Sequence, residues 1–155
     1  MTPRPEPGHA PSAAEVAHDF LSVLWGDEVP TIEALAQALD RLLARSHDVP
    51  MADCADEDHD PPPVDGAALY RDVAQRFPDL GLYRVTDPLA SIDEALMMAD
   101  AIDDLADITR DLREVVWHAT NLGADDAAWS FRLLFPHWGR HARELALYLH
   151  ARCWG

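Results

Sequence analysis

The chain contains no lysine, only two cysteines and no long uninterrupted run of apolar residues. Its twelve basic residues are all arginine, and 28 acidic residues bring the formal net charge to -16. A chain this acidic has no basic cluster large enough to neutralise phosphates, so we expect it to bind neither nucleic acid nor an anionic membrane surface. The exclusive use of arginine, together with abundant alanine and aspartate, is typical of a GC-rich bacterial genome.

The few cysteines and the short apolar runs also bear on the cellular compartment. Cys54 and Cys153 are too few to form a disulfide framework, which favours a reducing environment. Residues 1–11 contain four prolines and no apolar segment of the kind found in signal peptides. No later segment of the sequence approaches the roughly 18 consecutive apolar residues that a membrane-spanning helix needs. We therefore predict a cytoplasmic protein without a transmembrane segment.

Helical periodicity dominates the rest of the chain, whose 155 residues are typical of one domain. We predict an all-α fold: a flexible tail over residues 1–11, then a single bundle of about five helices over residues 12–155, with no sheet. Within the bundle, residues 47–65 carry seven acidic residues, no arginine and three consecutive prolines, which predicts an acidic loop.

Capping signals predict where the helices begin. Ser12 and Thr31 precede the first two apolar stripes and are good N-cap residues. Ser91, three residues before an acidic side chain, predicts the start of a fourth helix that ends near Asn121. The fifth helix is expected over residues 125–153, with a kink or break at Pro136.

The fourth predicted helix carries a stripe of four aspartates, at spacings of four, three and four residues: Asp100, Asp104, Asp107 and Asp111. Because this stripe borders the apolar face, we expect Asp104 and Asp111 to be only partly exposed. Like charges at this spacing destabilise a helix by roughly 0.2–0.5 kcal/mol per pair, so a neighbouring element should compensate.

The fifth predicted helix offers the compensating groups. His137 and His141 lie one turn apart and are accompanied by Arg140, Arg143 and Arg152. In a structural interpretation, these cations pair with the aspartates and fix the packing of the two helices.

An alternative interpretation makes the same side chains a divalent-metal site. Its ligands would come from Asp104, Asp107 and Asp111 on one helix and from His137 and His141 on the other. Neither an HExxH motif nor the ExxH pairs of di-iron bundles are present, so no metal motif selects this alternative.

Two segments of the C-terminal half resemble a known family. DDLADITRDL (residues 103–112) and HWGRHARELALYLH (residues 137–150) are similar to stretches of the bacterial domain-of-unknown-function family 5063. The resemblance covers about residues 65–155, and Thr109 replaces the usual aromatic residue. It implies an all-helical fold and supplies no activity.

Two functional hypotheses follow. We expect a non-enzymatic interaction module that binds a basic partner protein, as adaptors, immunity proteins and antitoxins do, because an acidic face speeds association with a cationic surface. The alternative is a metal-dependent helical-bundle enzyme, such as a phosphohydrolase. The tryptophan and leucine content of the last helix also leaves room for a homodimer interface.

Overall fold

The computed structural model describes residues 8–54 and 58–155 and places five helices and a small sheet within them. The elements are α1 (Ala13–Leu24), α2 (Ile32–Ser46), α3 (Gly66–Arg76), β1 (Leu82–Val85), β2 (Met97–Asp100), α4 (Ala101–Asn121) and α5 (Ala124–Trp154). The prediction of a helical bundle is confirmed. The predicted tail (residues 1–11) and the predicted acidic loop (residues 47–65) lie partly outside the described residues.

Side-chain caps define the first helices. The Ser12 hydroxyl accepts a hydrogen bond from the Glu15 N–H at 3.1 Å, and the Glu15 carboxylate accepts one from the Ser12 N–H at 3.2 Å. Thr31 caps α2 in the same way, through the N–H of Ala34 at 3.0 Å. Each cap satisfies backbone donors that the first helical turn leaves without a partner. Both predicted helix starts are confirmed.

The fourth helix begins nine residues later than predicted, with Asp100 rather than Ser91 as its N-cap, and a hairpin takes the place of its first turns. Ser91 lies in a turn closed by its own carbonyl and the N–H of Glu94. β2 then pairs with β1 in antiparallel register, from Leu82 opposite Asp100 to Val85 opposite Met97. The prediction of a fold without a sheet is therefore wrong. The apolar residues before β2 do not form a helical face, since Ile92 is 98% exposed.

α5 runs through Pro136 without a break, so the break that the sequence allowed does not occur. Proline removes one backbone hydrogen bond and disfavours a helix interior. Phe131 and Trp138, which lie on either side of it, are fully buried. Because both flanking turns are packed against the rest of the protein, tertiary contacts hold the helix together across the proline.

α4 and α5 form the central pair of the bundle. Gly123 joins them in a tight turn at a φ of 127°, a conformation that side-chain-bearing residues rarely adopt. The two helices make the most extensive contact in the fold; α1 also packs on α4, and α2 on α5. Both helices contribute fully buried side chains to the core: Leu105, Ile108, Leu112, Phe131, Trp138 and Leu145. This packing fixes the face of α4 that carries the aspartates against α5.

None of the helices in the described part of the chain has both the length and the hydrophobicity needed to cross a membrane.

Candidate metal centre

The aspartate stripe on α4 is largely covered by α5. Asp104 and Asp111 are only 2% and 3% exposed, so they are buried rather than partly exposed as predicted. Asp107, between them on the helix, is half-buried, and its side chain is 20% exposed. Asp100 is the last residue of β2 and the N-cap of α4, where its side chain accepts a hydrogen bond from the Ile102 N–H at 2.9 Å. The stripe therefore contributes three carboxylates to the interface with α5.

The two buried aspartates each bind one histidine of α5. Nδ1 of His141 lies 2.6 Å from Oδ1 of Asp104, and Nδ1 of His137 lies 2.6 Å from Oδ2 of Asp111. A carboxylate only accepts hydrogen bonds, so each ring carries its proton on Nδ1. The two pairs thus compensate the buried charges and fix the orientation of both rings.

The arginines of α5 do not share this role. Arg140 instead pairs with Glu144 at 2.9 Å, and Arg152 donates to the Asp79 carbonyl at 3.1 Å. The predicted pairing of these two arginines with the stripe is therefore wrong. A cation of α4 itself, Arg110, contacts Asp107 at 3.2 Å and lies 3.8 Å from Asp111.

Three acceptor atoms converge where the histidine rings meet. Nε2 of His141 lies 3.3 Å from Nε2 of His137 and 3.3 Å from Oδ2 of Asp107. Nε2 of His137 lies 3.7 Å from the same oxygen. With both Nδ1 hydrogens directed at carboxylates, neutral rings present a lone pair at each Nε2. Three lone pairs at this separation repel one another unless a cation lies between them.

A proton or a metal ion can supply that positive charge. The hydrogen bond to Asp104 raises the pKa of His141 above its ordinary value and outweighs the opposing effect of burial, which favours a proton on this ring. A metal ion also fits, because the separations of 3.3–3.7 Å leave a point about 2.0 Å from all three atoms, and this is the length of zinc bonds to nitrogen and oxygen.

Burial shapes the charges around the three converging atoms. It is the main cause that raises the pKa of Asp111 above its usual range, and the bond to His137 acts in the opposite direction. The pKa of Asp103, one turn before Asp107, is raised by burial and then by the negative charge of Asp107. The negative charge of Asp107, which contributes to the raised pKa of Asp103, also favours the binding of a cation.

The arrangement has the form of a metal site with supporting carboxylates. Asp107, His137 and His141 present the three atoms that could hold an ion. Asp104 and Asp111 hold the far nitrogen of each ring, as the carboxylate partners of metal-bound histidines do. Of the aspartates and histidines that the sequence singled out, the structure brings five together, whereas Asp100 caps α4.

Sequence reasoning missed one residue of the site, Tyr83 of β1. Its hydroxyl donates to Oδ2 of Asp104 at 2.5 Å, and the side chain is buried. Burial and the bond to Asp104 raise the pKa of Tyr83 far above its ordinary value, so the phenol stays protonated. Its position before the fourth predicted helix carried no signal, because the pairing with Asp104 depends on the hairpin.

A cleft of about 400 Å³ adjoins His141. Its walls come from α3, the hairpin, the start of α4 and one turn of α5, and they include Tyr70, Met98, Asp103, Arg140 and His141. The cleft places a space large enough for a small molecule beside His141, one of the three residues that could bind a metal ion.

Comparison with known proteins identifies the fold and leaves the site unassigned. No protein-family model and no curated protein matches this sequence, so the resemblance to family 5063 stays a prediction. Among solved structures, the crystal structure of protein BF1032 from Bacteroides fragilis, a structural genomics target, is similar to this chain. The TM-score is 0.69 at 16% sequence identity, over 93% of this chain and 91% of that one. At this identity the similarity shows a shared fold and carries no activity.

Proposed function

We propose that this protein binds a divalent transition-metal ion through Asp107, His137 and His141 and that it is a metal-dependent hydrolase. The observation that carries the proposal is the convergence of the three acceptor atoms at 3.3–3.7 Å. Both imidazoles are already oriented by buried carboxylates, so little freedom remains to be lost when an ion binds.

The ligand set favours ions such as Zn²⁺, Fe²⁺ or Co²⁺. Imidazole nitrogen suits these ions, whereas Mg²⁺ and Ca²⁺ prefer sites made of oxygen ligands alone. Two histidines and one carboxylate also form the protein ligands of many catalytic zinc and iron sites.

Hydrolysis is the chemistry that this coordination supports best. Three protein ligands leave at least one coordination position of the ion for water or substrate, as in catalytic rather than structural zinc sites. A bound ion would supply Lewis acidity and lower the pKa of a water molecule. The cleft beside His141 supplies room for a substrate. A phosphohydrolase, the alternative considered from the sequence, is one kind of metal-dependent hydrolase.

Metal binding is tested by stripping the protein with EDTA and titrating it with Zn²⁺ against a chromophoric chelator. We expect one equivalent to bind to the wild type. His137→Ala and His141→Ala should each weaken the affinity by more than about 100-fold. Even the loss of a residue that only hydrogen-bonds to a metal ligand weakens metal binding about 10–100-fold. His150→Ala is the matched control: this histidine is on the same helix, is exposed, and is not one of the three candidate ligands.

Thermal denaturation gives an independent measurement. Free Zn²⁺ at 100 times its Kd stabilises the folded state by about 2.7 kcal/mol, which corresponds to an increase in Tm of about 5–11 °C for a chain of this size. The metal site would be refuted if Zn²⁺, Mn²⁺ and Co²⁺ all failed to stabilise the wild type. It would also be refuted if these ions stabilised the His137→Ala, His141→Ala double variant as much as the wild type.

The hydrolase part requires an activity assay. Metal-loaded wild type should hydrolyse at least one of p-nitrophenyl phosphate, bis-p-nitrophenyl phosphate and p-nitrophenyl acetate. Asp107→Asn, which keeps the shape of the side chain and removes its charge, should lose this activity. Turnover that survives both Asp107→Asn and EDTA would come from another source.

The interaction module remains a separate prediction. Asp104 and Asp111 are buried against histidines and are therefore not the carboxylates that a basic partner would meet. Exposed acids such as Asp93 and Glu94 would form that surface. If the prediction is right, a basic protein should be captured in a salt-sensitive way and lost with Asp93→Asn and Glu94→Gln. Capture that is insensitive to salt would contradict it.

A further inference from the structure

The buried tyrosine of the hairpin is built into the support of one histidine. Tyr83 is 7% exposed, and its ring stacks on Tyr148 of α5 with centroids 4.4 Å apart and planes within 7°. The hydroxyl reaches Asp104 from β1, a different element from the one that carries the histidines. Three elements thus meet at one carboxylate.

Both oxygen atoms of Asp104 have a defined donor. Oδ1 accepts from Nδ1 of His141, and Oδ2 accepts from the Tyr83 hydroxyl. A buried carboxylate with one oxygen unbonded would be costly and could rotate about its terminal torsion angle. With both oxygens engaged, the plane of the carboxylate is fixed, and with it the direction of the His141 ring.

The other histidine has a different support. Asp111 binds His137 and lies 3.8 Å from the guanidinium of Arg110, which is a charged partner. The phenol of Tyr83 is neutral, so it orients Asp104 without cancelling the negative charge that faces His141. His141 is also the less exposed ring, with 23% of its side chain exposed against 43% for His137.

We propose that Tyr83 is a positioning residue of the metal centre, which acts through Asp104 to aim Nε2 of His141 at the ion. This inference rests on the proposed metal site and adds the hairpin to the elements that hold the site in place. Removal of the hydroxyl leaves the three ligand residues in place and loosens only the orientation of one of them.

A second tyrosine of the chain provides a matched control. The Tyr70 hydroxyl donates to Oδ2 of Asp100 at 2.6 Å, a bond of the same type and similar length. Asp100 caps α4 and is not the hydrogen-bond partner of either histidine. Tyr70→Phe therefore removes a tyrosine–aspartate bond without acting on the ligands.

The experiment compares Tyr83→Phe with Tyr70→Phe by titration of the metal-free proteins with Co²⁺ and Zn²⁺. We expect Tyr83→Phe to bind Zn²⁺ about tenfold more weakly, the lower end of the range for outer partners of metal ligands. It should also change the visible absorption spectrum of bound Co²⁺, which a purely structural role for the hydroxyl would not do. Tyr70→Phe should match the wild type in both measurements.

If Tyr83→Phe folds poorly, amide hydrogen exchange of the wild type provides a second test of the role of Tyr83. Bound Zn²⁺ should slow exchange of the β1 amides, because the ion fixes His141 and, through Asp104, the strand. A Tyr83→Phe protein with wild-type affinity and spectrum, or β1 amides that Zn²⁺ does not protect, would refute the role of Tyr83 and leave the metal site standing. A wild type that binds no Zn²⁺ would refute both.

Discussion

Replacement of His141 by leucine separates the role of this imidazole in folding from any role in metal binding, provided that EDTA is present. The substitution removes the partner of Asp104, a carboxylate that is 2% exposed. Loss of one member of a buried ion pair costs about 3–5 kcal/mol, and since Tyr83 still holds Asp104 and the pair is not fully buried, we expect about 2–3 kcal/mol.

The cost should depend on pH, because the bond to Asp104 raises the pKa of His141 in the folded state. A group whose pKa is raised by folding stabilises the protein fully below its unfolded pKa, which is about 6.5 for histidine, and loses this contribution as the pH rises through the folded value. The difference in free energy of unfolding between wild type and His141→Leu should therefore be larger at pH 6 than at pH 9.

Urea denaturation followed by circular dichroism at these two pH values gives the measurement. His137→Leu is the control, because His137 is 43% exposed and Asp111 keeps Arg110 nearby. We expect this control to cost only about 1 kcal/mol, because water screens the more exposed His137 ring and Arg110 remains beside Asp111. Equal losses for the two variants, or a His141→Leu loss that is the same at pH 6 and pH 9, would refute the charge-pairing argument.

Two further substitutions test the framework that holds the site. Thr109→Val should destabilise the protein by about 1–2 kcal/mol in thermal denaturation, because the indole N–H of Trp25 donates to the buried Thr109 hydroxyl and would lose its partner. Thr120→Val, at an exposed site, is the control and should leave the stability almost unchanged. A comparable loss of stability in Thr120→Val would contradict the hydrogen-bond argument. Gly123→Ala should cost about 1–3 kcal/mol and lower Zn²⁺ affinity, because its φ of 127° strains any side chain at the turn between α4 and α5. Gly81→Ala has open space for a methyl group and is the control; a smaller loss at Gly123 than at Gly81 would refute the strain argument.

The helices could be predicted from the sequence wherever a local signal and an apolar stripe coincide. Ser12 and Thr31 cap helices because a short oxygen-bearing side chain satisfies nearby backbone donors, whatever the rest of the fold does. The same reasoning fails at Ser91, where a similar signal lies in a turn. Pairing of β2 with β1 decides that segment, and pairing between distant residues leaves little trace in local periodicity.

The sequence alone pointed to the aspartates and histidines of the candidate site, but not to Tyr83. Four aspartates on one helical stripe and two histidines one turn apart follow from the helical repeat, and a stripe of like charges requires compensating groups. Only the tertiary structure decided the roles, because hydrogen bonds depend on the rotation of α5 against α4 and on a strand more than twenty residues before the ligands. That packing directs Nδ1 of each histidine to a buried carboxylate and brings both Nε2 atoms to Asp107. A stripe that the sequence identified only by its charge is, in the folded protein, paired with two histidines of α5 and forms one half of the proposed metal site.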